Sequence, residues 1–387
     1  MIVLTGARIF DGESFLDDHA VVVDGVRIAA IVPHAQKPHG TTRDLGGGLL
    51  APGYIDVQVN GGGGVLFNDD PTPEGIAAIA AAHRAYGTVG LLPTLVTDAR
   101  EVMEAAIAAT REARRATPAT LGVHLEGPFL DPRRKGAHEL KYIREITPQD
   151  IEMIATADCG AVMLTLAPNR VGGEAVAELA RLGVLISLGH SEAGYAEARA
   201  AVEAGARAFT HLFNAMSAPL GREPGMVGAA LDLDEAFVGL IADGHHVHEA
   251  NLRIALAAKR HDRFMLITDA MPPAAGGPDH FDLQGRRVTS VDGCLRLDDG
   301  TLAGSVLTMD EAVRYAVDVL RLPLADALAM ASRIPATFLR RDTELGRIAP
   351  GYLASLVHLD DELRVLETWI EGRPCHDSEH DAVANNT

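Results

Sequence analysis

Residues 121–130 read Leu-Gly-Val-His-Leu-Glu-Gly-Pro-Phe-Leu. A short apolar run ends in a carboxylate, and Gly127-Pro128 breaks the chain directly afterwards. In a buried strand successive side chains alternate, so Val123 and Leu125 face one way while His124 and Glu126 face the other. Glu126 then stands at the carboxyl end of the strand, where the chain turns. A carboxylate at the rim of a buried sheet is costly unless something positive meets it, and a metal ion is one such partner.

Three later runs have the same construction. Residues 184–190 (Val-Leu-Ile-Ser-Leu-Gly-His) close on His190, residues 208–211 (Ala-Phe-Thr-His) on His211, and residues 264–269 (Phe-Met-Leu-Ile-Thr-Asp) on Asp269. One glutamate, two histidines and one aspartate form the residue set of an open catalytic zinc site with a base beside it. Each group taken alone reads more simply as a hydrogen-bonded rim residue. Four of them, each closing a separate strand, point to one shared site.

The surrounding pattern explains why they converge. Eight apolar runs, at 54–60, 88–95, 121–126, 162–167, 184–190, 206–213, 238–243 and 264–269, alternate with Ala-rich helical patterns at 74–86, 98–115, 148–157, 174–182, 192–204 and 249–260. Alternation predicts a parallel sheet covered by helices, and eight repeats predict closure into a TIM-type (β/α)8 barrel, whose function collects at the carboxyl ends of its strands. The barrel is expected over 52–345. Residues 1–51 read as antiparallel β, with Asp24-Gly25 as a hairpin turn and Asp11-Gly12 as a second. They are too few to bury both faces, so strands at 354–359 and 365–370, in a second part spanning 346–387, are their expected partners in a small β-sandwich domain built from both termini. The polar tail beyond Pro374 reads as disordered.

Three connections are long enough to carry function. They are 131–144, 214–230, and 272–283, whose Pro and Gly content suggests a flap or a disordered crossing. A further hairpin is expected at 293–302. Gly61 to Gly64 lack a following phosphate-loop signature and read as a tight turn. The histidines His19, His34, His83 and His261 read as solvent-facing.

The formal charge of −19 and pI near 5.2 disfavour nucleic-acid or anionic-membrane partners. No apolar run is long enough to span a bilayer and the first residues do not resemble a signal peptide, so the expectation is a cytoplasmic protein. Three scattered cysteines without a C-x-x-C pair exclude a disulfide framework and a thiolate metal site.

With these motifs laid out, the chain resembles the N-acetylglucosamine-6-phosphate deacetylases of the amidohydrolase superfamily over nearly its whole length. The pieces carrying the resemblance run in the family's order: Ala-Pro-Gly-Tyr-Ile-Asp-Val-Gln-Val-Asn-Gly at 51–61, His-Leu-Glu-Gly-Pro-Phe at 124–129, Lys-Gly-Ala-His at 135–138, Leu-Gly-His-Ser at 188–191, Thr-His-Leu-Phe-Asn-Ala-Met at 210–216, Gly-Arg-Glu-Pro-Gly at 221–225, Ile-Ala-Asp-Gly-His-His-Val at 241–247, Thr-Asp-Ala at 268–270 and Leu-Ala-Gly-Ser at 302–305. The resemblance implies Glu126, His190 and His211 as metal ligands and Asp269 as catalytic acid/base. It implies His138 beside the scissile amide, and Asn214, Ala215, Arg222 and His246 as phosphate and sugar contacts, some supplied by a neighbouring subunit of a homodimer. His245 leaves open which of the two adjacent histidines does that work. Where many superfamily members carry a His-x-His pair for a second metal, this chain has Gln58 and Asn60, and amides are poor transition-metal ligands, so one divalent ion per subunit is expected. Zinc is the first choice, with iron or another divalent ion able to use the same ligands.

The implied reaction is hydrolysis of N-acetylglucosamine 6-phosphate to glucosamine 6-phosphate and acetate. Two rivals stay open at this point: the same chemistry on the galacto epimer, and a barrel of this type that binds without catalysis. Arg222 also reads as a plain surface arginine beside Glu223.

Overall fold

The structure, a computed structural model, describes residues 1–375. The polar tail singled out in the sequence lies almost wholly outside them. Eight parallel strands pair in chain order: β1 (Tyr54–Val59), β2 (Thr88–Val96), β3 (Gly122–Glu126), β4 (Ala161–Leu166), β5 (Leu185–Leu188), β6 (Ala208–Phe209), β7 (Phe237–Ile241) and β8 (Phe264–Ile267). Every residue of β1, β2, β3, β5, β7 and β8 is buried. This is why they read as continuous apolar runs: a parallel sheet walled by helices has no wet face. The seam between β1 and β8 closes just past the strand ends, where the Asp269 amide donates to the Gln58 carbonyl and the Asn60 amide to that of Ala270, both at 2.9 Å. The barrel is therefore stitched shut at its carboxyl mouth by residues the sequence had marked for function.

Helices cover the outside. Two of them, Pro73–Arg84 and Pro148–Ala155, start at a Thr-Pro pair, in which the threonine hydroxyl accepts a first-turn amide and proline occupies the first helical position. The helix expected from 192 begins instead at Tyr195. Ser191 is held in a parallel bridge to Met216 and Glu192 is paired with Arg134, which keeps that stretch extended.

The terminal segments build two sheets. Ile2–Thr5, His19–Asp24, Arg27–Pro33 and Thr41–Asp44 form one. Leu356–Leu359, Val365–Ile370 and Arg373–Cys375 join Leu49–Pro52, Arg8–Phe10 and Phe15–Leu16 in the other, with Val357 opposite Ala51. The opening segment is not purely antiparallel. Ile2–Thr5 runs parallel to Thr41–Asp44, and Arg8–Phe10 parallel to Leu49–Pro52, because long connections rather than hairpins join them. Leu4, Ile9, Val21, Leu50, Leu356 and Trp369 pack as one core between these sheets. The Arg43 guanidinium sits 4.9 Å from the Trp369 ring while pairing with Glu367 at 2.7 Å.

After β8 the chain inserts a fourth sheet of His280–Leu283, Arg286–Val291, Cys294–Leu297 and Leu302–Ser305, all antiparallel. The stretch read as a flap or disordered crossing thus ends in a strand, and the expected hairpin is one half of a larger meander. Its inner face packs Phe281, Leu283, Val288 and Leu295 on Leu66, Val96 and Met271 at the barrel mouth. His83, read as solvent-facing, is fully buried, with Nε2 2.9 Å from the Gly61 carbonyl, where it braces the glycine turn after β1.

Trp369 is the chain's single tryptophan and lies wholly inside the terminal core. Leu356→Ala is expected to destabilise that core by about 2–5 kcal/mol. Denaturant unfolding followed by the intrinsic fluorescence of Trp369 should show the red shift at lower denaturant than in the wild-type chain.

Candidate active site

Each functional side chain predicted at a strand end is found there, and three adopt a backbone conformation that side chains normally avoid. His190 (φ 48°), His211 (φ 31°) and Asp269 (φ 52°) all lie in the left-handed region. Such strain persists only where surrounding structure imposes it, and it bends each side chain from the barrel wall into its mouth.

Glu126 Oε1 lies 3.2 Å from His190 Nε2 and 3.0 Å from His211 Nε2, and the two imidazole nitrogens are 3.0 Å apart. Donors about 2.0–2.2 Å from a shared zinc ion sit roughly 3–3.5 Å from one another. His190 donates its Nδ1 proton to the Arg134 carbonyl at 2.9 Å, which orients the ring so that Nε2 faces the carboxylate. Burial works against a charged His211 ring, but the neighbouring Glu126 carboxylate raises its proton affinity. His138 adds a further donor, since its ring, Glu126 and His190 each offer a ligand atom within 4.8 Å of the others. It stands further back, Nε2 being 3.8 Å from Glu126 Oε2. The group of Glu126, His138 and His190 could hold a metal ion.

The electrostatics follow from burial. Burial alone would raise Glu126, but His190, His211 and His138 hold it well below the usual carboxylate range. Burial pushes His138 well below the usual imidazole range, with His190 acting the same way. For Asp269, burial and then the charge of Glu126 push the carboxyl up to about 6. That carboxylate is not left alone: Oδ1 accepts from Asn60 Nδ2 at 2.7 Å and from Gln58 Nε2 at 3.0 Å, and the same Gln58 nitrogen reaches Glu126 Oε1 at 3.0 Å. The side-chain amides of Gln58 and Asn60 are thus spent on carboxylates. Behind them, Asp56 accepts from the Thr268 hydroxyl at 2.5 Å and from the Gln58 amide at 3.1 Å, tying β1 to β8 below the mouth.

Glu126, His138, His190, His211 and Asp269 line one cavity of about 350 Å³, together with Asn214, Ala215 and His246. His246 faces it and His245 does not. Val96, Met271 and Leu283 form an apolar wall, the last from the inserted sheet. Arg222 is not brought in: it lies on an exposed loop outside the cavity.

Four partners escaped sequence reasoning. Thr97 Oγ1 lies 2.8 Å from His138 Nδ1 and 2.9 Å from the Glu126 carbonyl. Asp243 holds His246 Nδ1 at 2.6 Å. Arg133 and Arg134 line the cavity, but each is already paired, with Asp131 and Glu192 respectively. Of these, only the Asp-Gly-His-His spacing offered a signal, as a turn that brings an aspartate back onto a histidine.

The chain is similar to known proteins over nearly its whole length. The Amidohydrolase family profile matches residues 49–375, and that of the NagA composite domain matches residues 1–50. The chain is 41% identical over 386 residues to an N-acetylgalactosamine-6-phosphate deacetylase of Shewanella sp. (strain ANA-3), covering 98% of this chain and 97% of the relative. It is 35% identical over 377 residues to the N-acetylglucosamine-6-phosphate deacetylase of Haemophilus influenzae, covering 96% and 98%. The crystal structure of N-acetylglucosamine-6-phosphate deacetylase from Pasteurella multocida superposes with a TM-score of 0.94 at 36% identity, covering 97% of this chain and all of that one.

Burial pushes the Asp56 carboxyl up to about 7, outweighing the donors around it. The folded chain therefore holds this proton more tightly than the unfolded one, so the contribution is favourable below about pH 4 and is lost as pH rises through about 7. Relative to Asp56→Asn, which cannot titrate, wild-type stability is expected to fall by about 4 kcal/mol across that window. Chemical denaturation of both chains at a series of pH values measures it; parallel curves would show that Asp56 is ionised throughout.

Proposed function

The chain belongs to the amidohydrolase family, in its N-acetylglucosamine-6-phosphate deacetylase branch, and from that premise we propose that it hydrolyses the acetamide of N-acetylglucosamine 6-phosphate to glucosamine 6-phosphate and acetate. The observation that carries the proposal is the meeting, in one cavity, of a Glu126, His190 and His211 triangle with a buried aspartate whose proton affinity suits both halves of the reaction. A divalent cation held by those three residues, zinc or iron and one per subunit, would supply Lewis acidity to a water molecule and to the acetyl carbonyl.

The protein's own groups do the rest. Asp269, anchored through Oδ1 by Asn60 and Gln58, keeps its second oxygen for the proton of the attacking water. As water adds to the carbonyl, Asp269 takes that proton, then delivers it to the sugar nitrogen as the C–N bond breaks, so that the amine and not its anion departs. A group near 6 is mainly a base at neutral pH yet still a competent acid. His138 donates from Nε2 to the carbonyl oxygen as negative charge develops there. The Thr97 hydroxyl, which here donates to the Glu126 carbonyl, must turn to His138 Nδ1 when substrate binds for the neutral ring to carry its proton on Nε2.

Asn214, Ala215 and His246 meet the sugar and its phosphate. Arg222, exposed and outside its own cavity, reaches the phosphate bound in the neighbouring subunit of a homodimer, where its planar fork matches the anion's oxygens. We place the enzyme in the cytoplasm, acting on a small phosphosugar, its net charge of −19 disfavouring nucleic-acid and anionic-membrane partners. A second reading, the galacto epimer as substrate, is favoured by the 41% identical relative.

Acetate release from N-acetylglucosamine 6-phosphate, its galacto epimer and the unphosphorylated sugars, with elemental analysis of the same preparation, tests all of this. Turnover of the gluco phosphosugar well above the others supports the proposal; a preference for the epimer selects the second reading, and no release from a metal-loaded sample rejects both. Asp269→Asn is expected to retain metal and lose about 10²–10⁴ in kcat. Chelation should abolish activity, and added zinc or iron should restore it.

A further inference from the structure

His246 faces the cavity, but what it can offer a ligand is decided behind it. Asp243, just past the end of β7, accepts the His246 Nδ1 proton through Oδ2 at 2.6 Å. Its other oxygen accepts the backbone amides of His245 at 2.8 Å and His246 at 2.9 Å. Both side chains are almost out of solvent, at 6% and 7% exposure. The turn between them depends on Gly244, at φ +77°, where a Cβ would lie 3.2 Å from the Tyr315 ring. The carboxylate is therefore fully committed: it shapes the loop and grips one ring nitrogen. Burial works against its charge, yet the His246 contacts hold Asp243 below the usual carboxylate range, so it is an acceptor at neutral pH.

An imidazole has two nitrogens and, when neutral, one proton. Which nitrogen carries it is set by the partner of the other. Here the second nitrogen, Nε2, is the one left for whatever occupies the cavity. We propose that Asp243 is a positioning residue for substrate binding: by taking the Nδ1 proton of His246 it fixes the plane of the ring and leaves Nε2 as the acceptor of a hydrogen bond from a sugar hydroxyl. The inference rests on the proposed role of His246 as a substrate contact. His245, by contrast, turns away from this cavity toward the inserted sheet, its Nε2 lying 3.3 Å from where a Cβ on Gly293 would be.

Asp243→Asn separates shape from proton placement. The amide oxygen still accepts the two backbone amides, so the turn survives, but its NH2 group now meets His246 Nδ1 as a donor and drives the ring proton to Nε2. Long-range proton–nitrogen correlation spectra of the full-length protein with 15N-labelled histidine, the His246 signal being identified by its loss in His246→Gln, should show the Nδ1–H pattern in the wild type and the Nε2–H pattern in Asp243→Asn. KM for the phosphosugar should rise about tenfold, with kcat within about threefold and metal content unchanged, and Asp243→Glu should recover part of the loss. An unchanged ring signal in Asp243→Asn, or a switched signal with wild-type KM, would overturn the inference. If His246→Gln itself binds substrate with wild-type KM, the assignment of His246 as a substrate contact fails and the inference with it; if His246→Gln is impaired and Asp243→Asn is not, only the inference fails.

Discussion

Two carboxylates, Glu126 and Asp269, are buried at the same barrel mouth, and the neighbouring architecture can be understood as the means of holding like charges out of water. Unpaired, each would cost several kcal/mol. Glu126 is offset by three imidazoles on one side and an amide on the other. Asp269 is only partly offset, by two amides, and its carboxyl rises to about 6 as a result. The asymmetry is chemically productive. The better-compensated carboxylate stays charged and suited to a cation, while the other exchanges a proton near neutrality.

The barrel seam serves the same end. β1 and β8 meet through Gln58, Asn60, Asp269 and Ala270, so the hydrogen bonds that close the cylinder also set the distance between the amides and the carboxylate they anchor. The left-handed backbone at His190, His211 and Asp269 is tolerated because the strands below are fully buried and cannot relax. The inserted sheet after β8 covers the other side, giving a hydrophilic floor an apolar wall. The family to which the chain belongs is thus visible in physical terms, as a charge problem solved at one rim.

Much of this was legible from residues alone. Continuous apolar runs ending in Glu126, His190, His211 and Asp269 announced a parallel barrel and the cluster of polar groups at its rim, because side-chain alternation and strand polarity are local properties that period and punctuation express directly. Gln58 and Asn60 were not legible as donors to Asp269, which depends on a contact 209 residues apart in sequence for Asn60. His83 looked like any surface histidine in an Ala-rich helix, and nothing local revealed that the Gly61 carbonyl would need it. The parallel pairings of the first strands were missed because a hairpin signal is contained in two turn residues, whereas a parallel partner is chosen by what else must be covered.

By itself, then, the sequence determined the fold class, the order of its strands and the chemical identity of the groups at their ends, since these follow from periodicities of a few residues and from the cost of burying a charge. Tertiary structure alone decided which atoms face one another: Thr97 beneath His138, Asp243 behind His246, the inserted sheet over the mouth, and Arg222 outside its own cavity. Hydrogen-bond partners are selected by closure of the barrel across long stretches of chain, and no local pattern encodes a distance that only closure creates.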